Sequence, residues 1–439
     1  MDDLLKTAEI ACQSAIKAGA EFADASVERG RGISVSIEKN AIKSSDARLW
    51  AGVSVRAFAR GGTGWFSMSG ISEEHAREAG ARAAEMAKAA ESDPDFVDLV
   101  SPCPYAEVPG LYDADLAALA PAEVAAWAVG NIDSARAVTS EAVVSGGAST
   151  SWREWALVNN LGVSVAQRST AASVSASVVI RRDDDVGSFF EWDSARRLAD
   201  LEVDGIGARA ASEALRYLSS RTIRTAVLPV VFGPLSSGGL IQGLCGAASA
   251  EEVQRNRSFL IGKKGEQVAA EALTLVDDPL IPGGLSSSVC DGDGFPHRAV
   301  TLVEKGVLLT YLHSHYTARK SCEQNTGHST RVGIASTNVL PTLGTRTAAE
   351  IIGEVEDGIY VVLGHPVPDT ASGQLSALVD AGFRIERGEL TYPLRNTMVA
   401  GHALELLSRI DAISSDYRAE PGRVLPTIRV QGVKVASGE

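Results

Sequence analysis

The chain is poor in the features that mark several large protein classes. Five cysteines (Cys12, Cys103, Cys245, Cys290 and Cys322) are scattered over 439 residues and none forms a CxxC pair. Neither a disulfide framework nor a cysteine-rich zinc site is expected, and reduced thiols are the simplest state. The longest apolar runs, such as 226–232, fall far short of the roughly 20 residues of a membrane span. The opening Met1-Asp2-Asp3-Leu4-Leu5-Lys6 lacks the basic and apolar regions of a secretory signal. A cytoplasmic location without a membrane span is the expectation. Basic residues are outnumbered, 41 against 55 acids, for a net charge of −14. Such a balance offers no surplus cation to neutralise phosphates, which argues against a nucleic-acid partner.

What remains is globular: 45% of residues are hydrophobic and 22% charged. The length exceeds one ordinary core and suits two domains. Leu4, Ala8, Cys12 and Ile16 recur every four residues before Gly19, which predicts a helix over 3–19. Alternation at Ile33, Val35 and Ile37, and again over 53–58, predicts an antiparallel meander continuing through 64–66. Ser72-Glu73-Glu74 opens an alanine-rich helix to about 90, with acids where the helix dipole favours them. Residues 92–120 read as a connecting stretch, followed by a helix over 122–137 and strands near 141–145, 155–159 and 173–179. Asp204 is the expected cap of a helix over 205–218.

A β-branched run at 222–232 changes the character of the chain, so the boundary is placed near 220, giving domains 1–220 and 221–439. Further on, Glu304-Lys305-Gly306 and Arg387-Gly388 read as hairpin turns in which glycine supplies positive φ. A last strand is expected over 425–435. The fold class is α+β, with mostly antiparallel sheets and flanking helices, because hairpins outnumber possible crossovers.

Several motifs have plain readings. Gly205-Ile206-Gly207 mimics a dinucleotide fingerprint, but the acidic residues 200–204 make a poor buried strand before it, so a capped helix is preferred. Ser14–Lys17 and Ser36–Lys39 have the Ser-x-x-Lys spacing without companions for a nucleophile. No His-Glu-x-x-His or His-Glu-x-x-x-His occurs among seven histidines. His313 and His315, with Cys322 and His328, form the one set that strand spacing could gather on a metal. The 291–298 loop, Asp291-Gly292-Asp293-Gly294-Phe295-Pro296-His297-Arg298, is the densest polar stretch. It fails the calcium-loop pattern, and its carboxylates are suited to bonding backbone amides.

Read as a string, the chain resembles the TldD/PmbA family, the "modulator of DNA gyrase" proteins. The matching stretches are 258–269, Leu275-Val276-Asp277-Asp278-Pro279, the 291–298 loop, Tyr316-Thr317-Ala318-Arg319-Lys320, Thr326-Gly327-His328 and the 382–393 hairpin. In the first half they are residues 33–66 and Val158-Asn159-Asn160-Leu161-Gly162. The resemblance implies one of two subunit kinds. A TldD-like subunit holds a catalytic zinc through a His-Glu-x-x-x-His helix and a late cysteine; a PmbA/TldE-like subunit lacks these and pairs with it to hydrolyse peptide bonds. Counted back from Ser258, the three motif positions fall on Ile241, Gln242 and Gly246, and no cysteine follows Cys322. Isoleucine and glycine offer no donor to zinc, and a neutral amide cannot act as a base. The resemblance therefore implies the PmbA/TldE-like kind.

The expectation is a subunit with no cofactor of its own, in a heterodimer whose TldD-like partner supplies zinc. Its substrate would be a peptide or amide, gripped along a sheet edge. Two alternatives stand beside it: a partner subunit cleaving an amide in a natural-product intermediate, and a homodimeric non-catalytic scaffold. Cleft candidates by family position are Asp291, Asp293, His297, Arg319 and His328. Cys245 is expected to be a buried thiol, and Gly238, Gly239, Gly243 and Gly246 to allow another backbone, such as a partner's, to approach.

Overall fold

A computed structural model describes residues 1–438. The first half runs α1 (Asp2–Lys17), β1 (Phe22–Glu38), β2 (Ala41–Ala59), β3 (Gly62–Ser69), α2 (Glu73–Ala89), α3 (Ala114–Ala118), α4 (Pro121–Val138), β4 (Val143–Asn159), β5 (Ser164–Arg182), β6 (Asp185–Ala195) and α5 (Ile206–Arg216). The second half runs β7 (Ala226–Gly233), α6 (Pro234–Ala247), α7 (Ala250–Gln254), β8 (Leu275–Asp277), β9 (Val300–Glu304), β10 (Val307–Leu308), α8 (His315–Ser321), β11 (Val339–Pro341) and α9 (Ala348–Gly353). It ends with β12 (Asp357–Gly364), β13 (Gln374–Glu386), β14 (Glu389–Pro393), β15 (Thr397–His402), α10 (Ala403–Ser408), β16 (Ile410–Glu420) and β17 (Arg423–Ser437). The class is α+β with mostly antiparallel pairing, as expected. Among the described residues, no helix is long and apolar enough to cross a membrane.

The first half builds one antiparallel sheet, in order β3-β2-β1-β4-β5-β6. Strand alternation decides its two faces. On β1, Ala23, Ala25, Val27, Ile33, Val35 and Ile37 are buried and share one face. The first three pack under α1 and α2, the last three under α4 and α5. All four helices thus cover one side of the sheet and leave the other uncovered by helix. The alanine-rich sequence of α2 lets it sit close: a Cβ on Gly80 would come within 2.2 Å of the Ala11 carbonyl of α1. Ser72 caps α2 by accepting the His75 N–H at 3.2 Å, as its sequence predicts.

In the second half the pairings of β7, β17, β15, β13 and β12 close into a ring, with β16 and β14 added at its margins. Only β12–β7 is parallel within it. A smaller antiparallel sheet, β10-β9-β8-β11, lies beside it and shares its core with α6. The two expected hairpin turns place Lys305-Gly306 and Arg387-Gly388 at positive φ.

Three local expectations are corrected. Asp204 does not cap α5; Gly205, at φ 88, is the N-cap residue, where glycine takes a left-handed backbone without a Cβ penalty. The strands expected at 141–145 and 155–159 are one strand, β4, because Gly146 and Gly147 continue the ladder; a Cβ on Gly147 would lie 2.3 Å from the Val35 carbonyl. On α6, Gly239 and Gly243 serve the chain itself: a Cβ on Gly243 would stand 2.3 Å from Pro368 Cδ, and one on Gly239 3.0 Å from Pro366 Cδ.

Candidate functional site

The uncovered face of the first sheet meets loops of the second half, and the polar residues of the chain concentrate at that seam. Strand register puts Asp24 of β1 opposite Arg56 of β2. Asp24 is buried and Arg56 partly so, and Arg56 bridges outward: Nε donates to Asp24 Oδ2 at 2.9 Å and Nη2 to Asp293 Oδ1 at 2.6 Å. Burial opposes the Arg56 charge, yet the two carboxylates hold it firmly protonated, above the ordinary arginine range. A second cation closes the group. Arg331 Nη2 forms an ion pair with Asp24 Oδ1 at 2.6 Å, while its Nε and Nη1 make no hydrogen bond. Arg331 has φ 72, a left-handed backbone uncommon outside glycine and asparagine. Ser329 Oγ accepts its N–H at 3.1 Å, and Arg56 Nη1 donates to its carbonyl at 3.4 Å.

The 291–298 loop is held as its composition suggested. Asp291 Oδ1 accepts the N–H groups of Asp293 and Phe295, both at 2.9 Å, and Oδ2 accepts that of Ser329 at 3.2 Å. Burial and the adjacent Asp293 push the Asp291 carboxyl up, and the three N–H donors offset part of that rise. Burial pushes Asp293 up as well, but Arg56 outweighs it and holds that carboxyl below its ordinary value. Gly292 is required here, since a Cβ would fall 2.6 Å from the Arg331 nitrogen.

His328 lies next to this loop and wholly inside the protein. Its Nδ1 is 2.9 Å from Thr326 Oγ1 and its Nε2 3.5 Å from Asp277 Oδ2. Asp277 also accepts from the Thr337 N–H at 2.7 Å and from the Thr337 hydroxyl. Burial would raise Asp277, and His328 with Thr337 brings it below the usual carboxylate range. His297 sits alongside, where burial and then His328 lower its basicity to about 4.

The structure therefore gathers four of the five cleft candidates, Asp291, Asp293, His297 and His328, and separates the fifth. Arg319 belongs to α8, where its Nη2 donates to Asp98 Oδ2 at 2.6 Å while His315 Nε2 lies 2.8 Å from Asp98 Oδ1. Tyr316 donates to Asp93 at 2.8 Å and Lys320 pairs with Asp95 at 2.5 Å. Arg319 is thus part of a clasp between α8 and the 92–100 segment. This clasp also occupies His315, while Cys322 is exposed, so His313, His315, Cys322 and His328 do not converge. Among the described residues, no group of three or more His, Cys, Asp or Glu is placed to hold a metal ion. Asp24, Arg56 and Arg331 carry no sequence motif; only the strand register and a separation of 275 residues closed by folding bring them together.

On α6, Ile241 is buried, whereas Gln242 and Gly246 are exposed, and nothing lies within 4 Å of a Cβ built on Gly246. An alkyl group, a carboxamide and a bare backbone do not fit zinc. Cys245 is buried in the core, where burial pushes its thiol up, so it is a structural thiol.

Three domain profiles match in succession: PmbA/TldA metallopeptidase domain 1 over residues 23–90, the central domain over 111–218 and the C-terminal domain over 225–437. The chain belongs to the PmbA/TldD family. It is similar to TldE from Thermococcus kodakarensis, with a TM-score of 0.90 and 28% identity over 98% of this chain and 100% of that one. "Metalloprotease PmbA" of Escherichia coli O157:H7 is 26% identical over 288 residues, 63% of this chain. The match spans 61% of that protein, and about half of the Methanothermobacter thermautotrophicus metalloprotease, 49%. The Haemophilus influenzae PmbA homologue is 26% identical over 99% of this chain and 96% of its own length. Metalloprotease is the recurrent name among these relatives.

Proposed function

We propose that this chain is the TldE/PmbA-like subunit of a heterodimeric zinc metallopeptidase. A TldD-like homologue carries the His-Glu-x-x-x-His helix and supplies zinc and base; this chain completes the cleft that holds a peptide or amide substrate. The observation that carries the reading is the outward surface of α6, where Gln242 and Gly246 stand exposed at motif positions and offer neither a metal donor nor a proton acceptor. The similarity to a protein called TldE supports it. The uncovered sheet face beside the Arg56–Asp293 seam is the surface this chain contributes to substrate.

The test is metal content. The lone chain, equilibrated with zinc and desalted, is expected to retain none; co-expressed with a His-Glu-x-x-x-His homologue, it is expected to co-purify as a complex with about one zinc per pair. Zinc stoichiometric with the lone chain overturns the assignment.

A further inference from the structure

We propose that the cleft between the uncovered sheet face and the 285–292 and 329–331 loops is a subsite for a carboxylate on an extended peptide. The word peptide rests on the function proposed above; the charge argument does not. The cleft holds about 500 Å³ and is lined by Arg153, Arg196 and Arg331 against a single acid, Asp291. Two of these arginines already face carboxylates, Arg153 facing Glu28 and Arg331 facing Asp24, which leaves Arg196 as the cation the cleft does not balance.

Arg196 is the clearest sign of a missing anion. Its Nε donates to the Gly284 carbonyl at 3.2 Å, Nη1 to that of Thr170 at 3.0 Å and Nη2 to that of Leu285 at 2.5 Å. All three acceptors are neutral, so its charge is solvated by dipoles and compensated by no carboxylate among the described residues. Arg331 beside it faces Asp24, its Nη2 2.6 Å from Oδ1, and keeps two buried nitrogens, Nε and Nη1, without a hydrogen bond. An incoming anion gives such buried donors the partner they lack. Asp291 forms no ion pair with any of the three arginines; its oxygens accept three backbone N–H groups instead. Arg153, paired with Glu28 at 2.5 Å, stands half-exposed on the same sheet face.

The walls suit an extended chain. Trp50 lies across β1, where a Cβ on Gly30 would fall 2.3 Å from the indole, so glycine there is what lets the ring lie against the sheet. Ser151 and Ser169 present hydroxyls beside it, able to donate to or accept from a peptide main chain. The indole offers a flat apolar surface and the serines a shallow polar floor, while the arginines set the preference for charge.

The experiment titrates the intact chain, without zinc or partner, with two matched peptide pairs by tryptophan fluorescence. One pair differs as C-terminal acid against C-terminal amide; the other, amidated throughout, carries an internal Glu against Gln. At least one acidic member is expected to bind about tenfold more tightly than its match or better, the loss typical of a charged hydrogen bond, and the pair that responds tells which carboxylate is read. Ser169→Asp, a half-buried strand position facing the cleft, is expected to erase the preference without unfolding the chain. Arg331→Asn, which keeps a left-handed backbone accessible, is expected to weaken it. Equal binding within both pairs, no binding at all, or a preference that survives Ser169→Asp overturns the proposal. A preference that holds while the lone chain also binds stoichiometric zinc sinks the subunit reading and leaves this subsite standing.

Discussion

Arg56→Met removes one of the two cations, the other being Arg331, that join the two halves of the chain at this seam, and its cost follows from burial. The side chains of Asp24, Arg56 and Asp293 are 3%, 12% and 12% exposed. Methionine fills most of the volume but leaves two buried carboxylates facing Arg331 alone. Breaking a buried ion pair by removing one partner costs about 3–5 kcal/mol, mostly the uncompensated charge left behind. The assay is urea unfolding followed by tryptophan fluorescence, in which the midpoint falls and the slope reports whether the halves still unfold together. The pH dependence fixes the cause. In the native chain Asp293 is held below its usual value, so its contribution is present above about pH 4 and lost as pH falls through the lower folded value. In Arg56→Met the Asp293 carboxyl loses that partner and its pKa rises. Protonation then relieves the unpaired charge, and the deficit relative to the native chain shrinks between pH 7 and pH 5. A deficit under about 1 kcal/mol at pH 7, or one that does not change with pH, refutes the reasoning.

Other outcomes are expected from the same structure. Gly243→Ala drives a methyl into Pro368 and is expected to cost about 1–3 kcal/mol, whereas Gly246→Ala meets open space and gains up to about 1 kcal/mol of helix propensity; thermal melts of the two variants check the contrast. His297 and His313 are each held by burial at about 4 against an ordinary 6.5. The unfolded chain therefore takes up protons first as pH falls, and stability drops between pH 6.5 and 4 by up to about 1.4 kcal/mol per pH unit for each histidine, read as a shift in the urea midpoint. A thiol reagent on the native chain is expected to label Cys103 and Cys322, which are exposed, and to spare Cys12, Cys245 and Cys290, with mass spectrometry locating the adducts.

Where a signal was local, it could be read from the sequence. The period of Leu4, Ala8 and Cys12 marked the buried face of α1, and Ser72 with two following acids marked the start of α2. The Lys305-Gly306 and Arg387-Gly388 turns were equally plain, since positive φ selects glycine. The break expected between 145 and 155 is absent because glycine can either end a strand or let a neighbouring backbone come close, and in the packed sheet Gly146 and Gly147 serve the second use. The same limit hid the polar seam. Asp24 and Arg56 are ordinary strand charges in sequence, and their partner Asp293 sits far along the chain in a loop that was recognised for its own hydrogen bonds. Arg319 shows the converse: it was noticed through a matching family stretch, and folding commits it to Asp98.

The central claim is that this chain works through another. Peptide hydrolysis measured for the purified chain, for a zinc-bearing His-Glu-x-x-x-His homologue and for the two combined tests it most directly. Cleavage is expected from the pair, none from this chain alone, and a large fall when the homologue acts without it. Cleavage by the lone chain, or full activity of the homologue in its absence, contradicts it.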